Sequence, residues 1–437
     1  AVTLACGATQ TGFGRTGTVD WQTTPKTGDF TAVNGEGYFV NTTSGAVVMT
    51  MPSGSAGAIV SIQDYNKTFD DNNFTVTPQS GEIINGGSAS ASLIITTEGQ
   101  GLTFVYVDGT VGWKTVHENE FATGGSSFIV ATGGTITNTP TCRIHTFTGP
   151  GNFEVTSVAN CAANNLVSYT VVAGGGAGGT GNPSSSTNLG GAGGAGGFRE
   201  VKSPVTPYTA SPLDGYPSSP NRITVTAQTY TIAVGGGGTG AAPTGSNGPS
   251  GSVSTFSTIT SAGGGGGGGT QDGIAGGSGG AGGATTSTTR SGGAGNTPPV
   301  SPAQGFAGGS GNHSPGSAKA GGGGGATAVG QNGVGGPTPP DASSYGLGGA
   351  GATTSITNSP VAYSGGGGGS SNNGPGLPSA FTAGGTGGGG SGAQSGASAT
   401  NGSTNTGGGG GGGGSESPNQ VGGNGGSGIV IIRYKKA

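Results

Sequence analysis

Short apolar runs separated by turn residues fill the first 172 residues of the chain, with turn signals about 8–12 residues apart. Runs such as GYFVNTT (37–43) alternate in polarity, whereas LTFVYV (102–107) is almost continuously apolar. This pattern is typical of a small antiparallel β-sandwich or barrel. The dipeptide Asp108-Gly109 predicts a hairpin between LTFVYV and VGWKTV.

The pattern changes near residue 173, and it predicts no helix of three turns anywhere in the chain. We expect an N-terminal segment at 1–20, a β-sandwich-like module at 21–120, a linker at 121–141 and a glycine-rich domain at 142–437. RIHTFTGPGNFEVTSV (143–158) is interpreted as a hairpin at the start of that domain.

Glycine-rich runs and strand-like segments alternate throughout the region 174–428. We expect the strand-like segments to form a β base, and polar connections such as TPPVSPAQGF (297–306) to form loops at the far tip of the glycine runs. The chain closes with the strand pattern GIVIIRY (428–434). The predicted base strands lie within 143–172, 222–234, 252–262 and 429–434.

The stretch LVSYTVVAGGGAGGTG (166–181) places a strand before Gly174, Gly176 and Gly179, the spacing of a dinucleotide site. Such a site needs a helix directly after the glycines, because the helix N-terminus holds the pyrophosphate. The next residues, TGNPSSSTNLGG, cannot start a helix, and the chain has no Gly-Lys pair for a P-loop. The glycines are therefore interpreted as structural.

Polyglycine forms an extended helix with three residues per turn, and such helices can hydrogen-bond sideways to one another because no Cβ separates them. Ordering a glycine loses about 1–2 kcal/mol of backbone entropy, whereas a lateral hydrogen bond contributes about 0.5–1.5 kcal/mol. The bundle therefore needs the apolar base. The fold class is all-β with packed polyglycine-II helices; the alternative for 174–428 is a disordered Gly/Ser linker, which needs no apolar strands.

Composition narrows the classes of function. Gly (108) and Pro (24) together make about 30% of the 437 residues, only 7% are charged, and the net charge is −4. No basic cluster suits nucleic acid, and no apolar run is long enough for membrane insertion. Cys142 and Cys161 flank the turn TGPGN, so they are either a disulfide across the hairpin or free thiols.

The residues capable of catalysis or metal binding are scattered. The histidines His117, His145 and His313 lack metal-ligand spacing, and the carboxylates of the glycine-rich region are far apart in sequence. Asp64, Asp70 and Asp71 lie in the loop-like stretch DYNKTFDDNN, where carboxylates suit Ca²⁺, but the EF-hand pattern is absent, and a solvated loop is the favoured alternative. We expect no enzyme activity, no cofactor and no metal.

Several segments resemble one protein family. SYTVVAGGGAGG, GGAGGFRE, TYTIAVGGGG and GGSGIVIIRYKK resemble the glycine-rich domain of tail fibres of marine and other tailed bacteriophages, and IHTFTGPGNFEV resembles its entry. Residues 37–116 resemble small β modules of cyanophage-type fibre proteins. The resemblance implies a polyglycine-II bundle that displays receptor-binding loops at its tip. Residues 1–20 are short for the virion anchor of such fibres.

Large residues within the polar connections are the candidate receptor contacts, because an aromatic ring beside an amide suits a sugar or a protein loop. The alternative is that these side chains fold back as caps on the glycine helices, and the sequence leaves both open. The candidates are His313, Lys319, Tyr345, Asn372, Asn373 and Phe381.

The resemblance implies a virion tail fibre or adhesin whose partners are a host-surface receptor and other virion tail proteins. The alternatives are a secreted filament or surface-matrix protein, an ice-binding protein, which expects repeats of equal length, and a depolymerase, which expects paired carboxylates. The oligomeric state is open between a homotrimer, which such fibres often form, and a monomer.

Overall fold

A computed structural model of the chain describes residues 19–116, 128–159, 161–182, 188–240, 244–285, 287–312, 318–334, 346–371, 382–394, 397–415 and 421–436. The chain divides into two compact units, unit 1 (Ala1–Ser127) and unit 2 (Phe128–Ala437). The fold is all-β: within the described ranges the helical residues are the two short 3₁₀ turns Ala162–Asn165 and Ser219–Asn221, together with Thr382. No helix in those ranges is long and apolar enough to cross a membrane.

Unit 1 contains two sheets, and consecutive strands alternate between them at first. The strand order is β1-β3-β5-β8-β9 in one sheet and β2-β4-β6-β7 in the other. The strands are β1 (Asp20–Lys26), β2 (Phe30–Thr31), β3 (Glu36–Val40), β4 (Val47–Thr50), β5 (Ile59–Asp64), β6 (Phe74–Thr77), β7 (Leu93–Ile95), β8 (Gly101–Asp108) and β9 (Gly112–Thr115).

The antiparallel arrangement predicted for unit 1 is wrong for β1–β6. β1, β3 and β5 pair in parallel, and so do β2, β4 and β6. The alternating pattern identifies the buried face of each strand, but it does not encode the direction of the neighbouring strand. The predicted hairpin at Asp108-Gly109 is confirmed, since β8 and β9 pair antiparallel.

The core of unit 1 lies between its two sheets. Tyr38, Val60 and Phe104 face it from one sheet, and Met49 and Phe74 face it from the other. All five side chains are almost completely buried. Burial of this kind at about 25 cal/mol per Å² is the main stabilising contribution to a small β unit.

In the described residues of unit 2, two large sheets sandwich a second core. The strands are β10 (Val130–Thr132), β11 (Thr135–Asn138), β12 (Cys142–Phe147), β13 (Gly151–Ser157), β14 (Leu166–Val172), β15 (Phe198–Val201), β16 (Ile223–Thr224), β17 (Thr229–Ala233), β18 (Ser254–Phe256), β19 (Ile259–Ser261), β20 (Ala352–Thr354), β21 (Val361–Tyr363) and β22 (Ile429–Lys435). One sheet has the order β10-β13-β17-β18-β19, and the other has β11-β12-β22-β14-β15 with β16 beside β14. β20 and β21 form a separate hairpin.

The linker and the first hairpin of unit 2 differ from the sequence prediction. β10 and β11 lie within the expected linker 121–141, where each pairs with a strand of the sandwich. The expected hairpin at 143–158 is not formed, because β12 and β13 belong to opposite sheets. Phe153 instead packs edge-on against His145 across the sandwich, with ring centroids 5.0 Å apart. Two adjacent alternating strands satisfy the same polarity pattern whether they pair or face each other.

The candidate disulfide Cys142–Cys161 is absent, and both residues are free thiols. Cys142 is buried at the start of β12, where its backbone N–H donates to Thr139 Oγ1 over 2.9 Å. Cys161 is exposed beside the 3₁₀ turn that precedes β14. The disulfide prediction depended on the hairpin, which is not formed, and Cys161 lies beyond the end of β13.

The glycine runs are extended helices packed side by side, and the hydrogen bonds of the run 174–180 repeat every three residues. Gly174 and Ala177 donate to the 246–252 run, Gly175 and Gly178 to the 421–428 run, and residues 176 and 179 to the 190–197 run. Runs 263–269, 407–415 and 235–240 donate to it in turn. Residues 171–181 are all buried. The threefold repeat is that of polyglycine II, so the linker alternative is excluded for this region.

Side chains are excluded from most of the lattice by the neighbouring backbones. A Cβ at Gly176 or Gly179 would overlap the carbonyl oxygen of Gly265 or Gly268. The glycines of the apparent nucleotide fingerprint are therefore needed because other chain segments approach them closely. The packed-helix interpretation of these residues is confirmed.

Candidate functional site

The runs alternate in direction, so the bundle has two different ends. We call the end that joins the sandwich the base and the opposite end the distal end. Gly174 follows β14, Gly197 precedes β15, and Gly428 precedes β22, which fixes the base. Runs leave the base and reach the distal end at residues 181, 240, 269, 285, 312, 334, 371, 394 and 415.

One polar connection that was expected at the tip lies at the base. Residues 297–306 fold against the sandwich, where Gln304 Oε1 accepts the backbone N–H of Ala262 over 2.8 Å. Asn221 Nδ2 donates to the carbonyl of Ser301 over 2.9 Å. Polar composition alone does not reveal the end of a run at which a connection lies, because buried amides serve the backbone equally well there.

In the described part of the distal end, polar side chains accept hydrogen bonds from backbone N–H groups at the ends of the runs. Asn247 Oδ1 accepts from Gly269, Asp272 Oδ1 from Ser291, and Asn312 Oδ1 from Lys319. These distances are 3.0, 2.9 and 2.8 Å. Asn and Asp side chains substitute here for the lateral partner that a run lacks beyond its last turn. This capping role is additional to the sequence prediction.

Lys319 is the one receptor candidate within the described residues, and its position favours the cap. Its side chain is 1% exposed, and its backbone bridges to Ser371. A receptor contact needs an accessible ammonium group, so Lys319 does not fit that role in this structure. The other five candidates lie outside the described residues: His313, Tyr345, Asn372, Asn373 and Phe381.

Two carboxylates at the base could in principle catalyse a reaction, but their hydrogen bonds show a structural role. Glu200 and Asp214, far apart in sequence, occupy bridged backbone positions. Glu200 accepts from Thr354 Oγ1 and from the backbone N–H of Ser211, and Asp214 accepts from the N–H groups of Lys202 and Tyr216. Burial raises the pKa of Glu200 despite these hydrogen bonds.

Arg433 on β22 also contacts loops at the base. Its guanidinium donates to the carbonyl oxygens of Ile356 (3.0 Å) and Pro207 (2.8 Å). It also lies 5.3 Å from the centre of the Tyr208 ring. The side chain is 2% exposed. Arg433 therefore clamps two base loops to the central strand, because each buried carbonyl needs a donor.

The carboxylates and imidazoles of the described ranges do not gather into a metal site, since no group of three His, Cys, Asp or Glu is close enough to hold an ion. Asp64, considered for Ca²⁺, is buried, and its Oδ2 accepts the backbone N–H groups of Phe69 and Gly99. This carboxylate therefore fastens two loops of unit 1.

Comparison with protein families identifies the glycine-rich part of the chain. Residues 145–435 match the family described as a glycine-rich domain. The match begins within β12 and ends within β22, so it covers most of unit 2 and more than half of the chain. No curated protein matches the sequence.

Proposed function

We propose, from the premise that this chain belongs to the glycine-rich domain family, that it is a non-enzymatic structural protein of a phage virion. In this proposal it is a tail fibre or adhesin that binds a host-surface receptor, a polysaccharide or an outer-membrane protein. Its location is the extracellular virion tail, and its other partners are virion tail proteins.

The observation that carries the proposal is the polarity of the glycine bundle. Within the described residues, the runs that leave the base end on the same distal side, and the sequence segments that connect them differ in length and composition. The runs themselves tolerate few side chains because their backbones are in contact. A scaffold of this kind holds many connections together while their sequences vary, which suits recognition of a receptor.

The resemblance of segments such as SYTVVAGGGAGG to phage tail fibres supports the same proposal. A secreted filament built on polyglycine packing is the second candidate, and it predicts self-association rather than attachment to cells. The two functions differ in what the distal connections do, so the connections are the place to mutate.

The test is attachment of the fluorescently labelled full chain to a panel of marine bacterial strains. We expect saturable binding to a subset of strains, which the double substitution Tyr345→Ala/Phe381→Ala abolishes. Val253→Ala is the matched control, since Val253 is 50% exposed next to β18 at the base. Binding to none of the strains, together with filaments in electron micrographs, would favour the second candidate.

A further inference from the structure

Three aromatic side chains form a row on the outer face of unit 1. Trp21 lies on β1, Phe39 on β3, and Tyr65 directly after β5. The ring centroids of Trp21 and Phe39 are 5.0 Å apart, and those of Phe39 and Tyr65 are 6.5 Å apart. We call these three residues the aromatic row. It crosses three parallel neighbouring strands.

The row points away from the core of unit 1. Tyr38 and Val40 face the core, so Phe39 between them faces outward. Trp21 is paired with Gly37, which is also on the outward face. A Cβ at Gly37 would lie 2.7 Å from Cδ2 of the indole ring. The missing side chain therefore lets the indole lie directly on the sheet.

The rings keep a large accessible surface despite this packing. Trp21 is 40% exposed and Tyr65 is 52% exposed. The planes of Trp21 and Phe39 differ by 33°, whereas Tyr65 stands at 71° to Phe39. Trp21 and Phe39 thus form a floor, and Tyr65 forms a wall beside it. An exposed cluster of aromatic rings marks a candidate binding surface.

Polar groups surround the row. The backbone N–H of Tyr65 donates to Val40 over 2.8 Å, which places the wall beside Asn41. Asn41 Oδ1 accepts from Thr43, whose hydroxyl accepts from Asn66 Nδ2 over 3.1 Å. These three side chains are exposed contacts at the same end of the strands. They supply amide and hydroxyl groups at the edge of the rings.

The outer face beyond the rings is also polar. Ser61 and Thr103 share a hydrogen bond of 2.8 Å on this face, and Gln63 lies between Phe39 and Gly101 in register. The apolar area is therefore limited to three rings. A stable protein interface needs about 1,200–2,000 Å² of buried surface with an apolar centre, which three rings do not provide.

We propose that the aromatic row binds a neutral polysaccharide chain. A sugar ring offers an apolar face of C–H groups and a polar edge of hydroxyls, which match the floor of Trp21 and Phe39 and the amide and hydroxyl rim. The site lies in unit 1, and it does not depend on the distal connections of unit 2. This proposal can therefore be tested independently of the proposed attachment function.

The two tryptophans of the chain provide a direct probe, because Trp113 is completely buried and Trp21 is exposed. In acrylamide quenching of the full chain, we expect a quenchable component that Trp21→Phe removes. Oligosaccharides of a polysaccharide that binds should shield this component. Absence of a quenchable component in the free chain would overturn the proposal, since the row would already be covered by another segment or a second copy.

Affinity electrophoresis then tests the site through gels that contain hydroxyethyl cellulose, xylan, galactomannan, laminarin or dextran. We expect retardation by at least one polymer, weakened about tenfold or more by Trp21→Ala and by Tyr65→Ala. Ile94→Ala is the control, since Ile94 is 58% exposed on β7 in the other sheet. Tyr65→Phe keeps the ring and should keep most of the affinity.

Circular dichroism establishes that each variant is folded, and Tyr65→Ala remains informative if Trp21→Ala unfolds. Retardation by none of the five polymers, or retardation that persists in both ring variants, would overturn the proposal. Failure here leaves cell attachment through the distal connections intact, whereas loss of attachment in Tyr345→Ala/Phe381→Ala leaves the row intact.

Discussion

The imidazole of His145 on β12 stacks against the ring of Tyr434 on β22, and its Nε2 lies 3.0 Å from the Tyr434 hydroxyl. The other nitrogen, Nδ1, lies 2.7 Å from the carbonyl oxygen of Gly133. A carbonyl only accepts, so Nδ1 carries the proton and Nε2 accepts from the Tyr434 hydroxyl. Both residues are completely buried, which disfavours the charged form of His145.

The first prediction concerns acid. Burial lowers the pKa of His145 from its ordinary value of 6.5, an effect that Arg143 reinforces and the Gly133 hydrogen bond opposes. Below pH 6.5 His145 is protonated in the unfolded chain but not in the folded chain. The free energy of unfolding therefore falls as the pH drops toward the lowered pKa. The loss is at most about 1.4 kcal/mol per pH unit.

The measurement is urea denaturation followed by tyrosine signals of unit 2, since both tryptophans lie in unit 1. The difference in unfolding free energy between wild type and His145→Gln should shrink as the pH falls from 7 to 5. A difference that stays constant over this range would show that His145 does not titrate differently in the two states.

The second prediction concerns the glycine lattice. A Cβ at Gly267 would overlap the carbonyl oxygen of Gly191 and crowd that of Ala192, and neither backbone is free to move. Gly267→Ala should therefore lower the unfolding free energy of unit 2 by about 1–3 kcal/mol. Gly236→Ala is the matched control, because a Cβ there meets nothing within 4 Å and the residue is exposed.

For Gly236→Ala we expect no loss, and a gain of up to about 1 kcal/mol from the reduced freedom of the unfolded chain. Thermal unfolding followed by circular dichroism compares the two variants. Equal stabilities would contradict the close approach of neighbouring runs at Gly267.

The third prediction concerns Arg433. Replacing it with Met keeps much of the volume but leaves the carbonyl oxygens of Ile356 and Pro207 without their donor, which should destabilise unit 2 by at least about 2 kcal/mol. Arg222 is a matched control because it also donates to a backbone carbonyl, that of Tyr216, and lies 4.4 Å from a tyrosine ring, but it is exposed.

Arg222→Met should change stability by no more than about 0.5 kcal/mol. Urea denaturation of both variants supplies the comparison. If both substitutions have the same effect, burial of the Arg433 hydrogen bonds is not what holds the base loops.

The fourth prediction concerns the thiols. Cys161 is exposed and Cys142 is buried, so a maleimide reagent should label Cys161 in the native chain and Cys142 only after unfolding. Peptide mass spectrometry identifies the labelled residues. A peptide pair cross-linked through Cys142 and Cys161 would contradict the free thiols of this structure.

The strands of the base were predictable because their apolar patterns are strong and local. GIVIIRY predicts β22, and LVSYTVVA predicts β14, since both carry long runs of buried β-branched residues. Polyglycine II was also predictable, because runs such as 263–269 leave few other ways to satisfy so many backbone groups.

Pairing was not predictable from the same patterns. β12 and β13 alternate correctly for a hairpin, yet they face each other across the core, and β1, β3 and β5 alternate correctly for antiparallel strands, yet they run parallel. The sequence also did not indicate whether a connection lies at the base or at the distal end of the bundle. Residues 297–306 pack at the base because Gln304 and Asn221 find buried backbone partners there.

The aromatic row was not predicted from the sequence, for a related reason. Trp21, Phe39 and Tyr65 are far apart in the chain, and parallel winding of three strands brings them together. Gly37 carried a signal in retrospect, since a glycine inside a strand marks a place where another group approaches closely.

The position of β22 makes the order of synthesis matter. β22 lies between β12 and β14, and the 421–428 run accepts hydrogen bonds from the 174–180 run that precedes it by some 240 residues. A ribosome that has not yet released residue 435 holds a chain whose central strand is missing. Translation products that end before β22 therefore lack the central strand of unit 2 and are exposed to proteases.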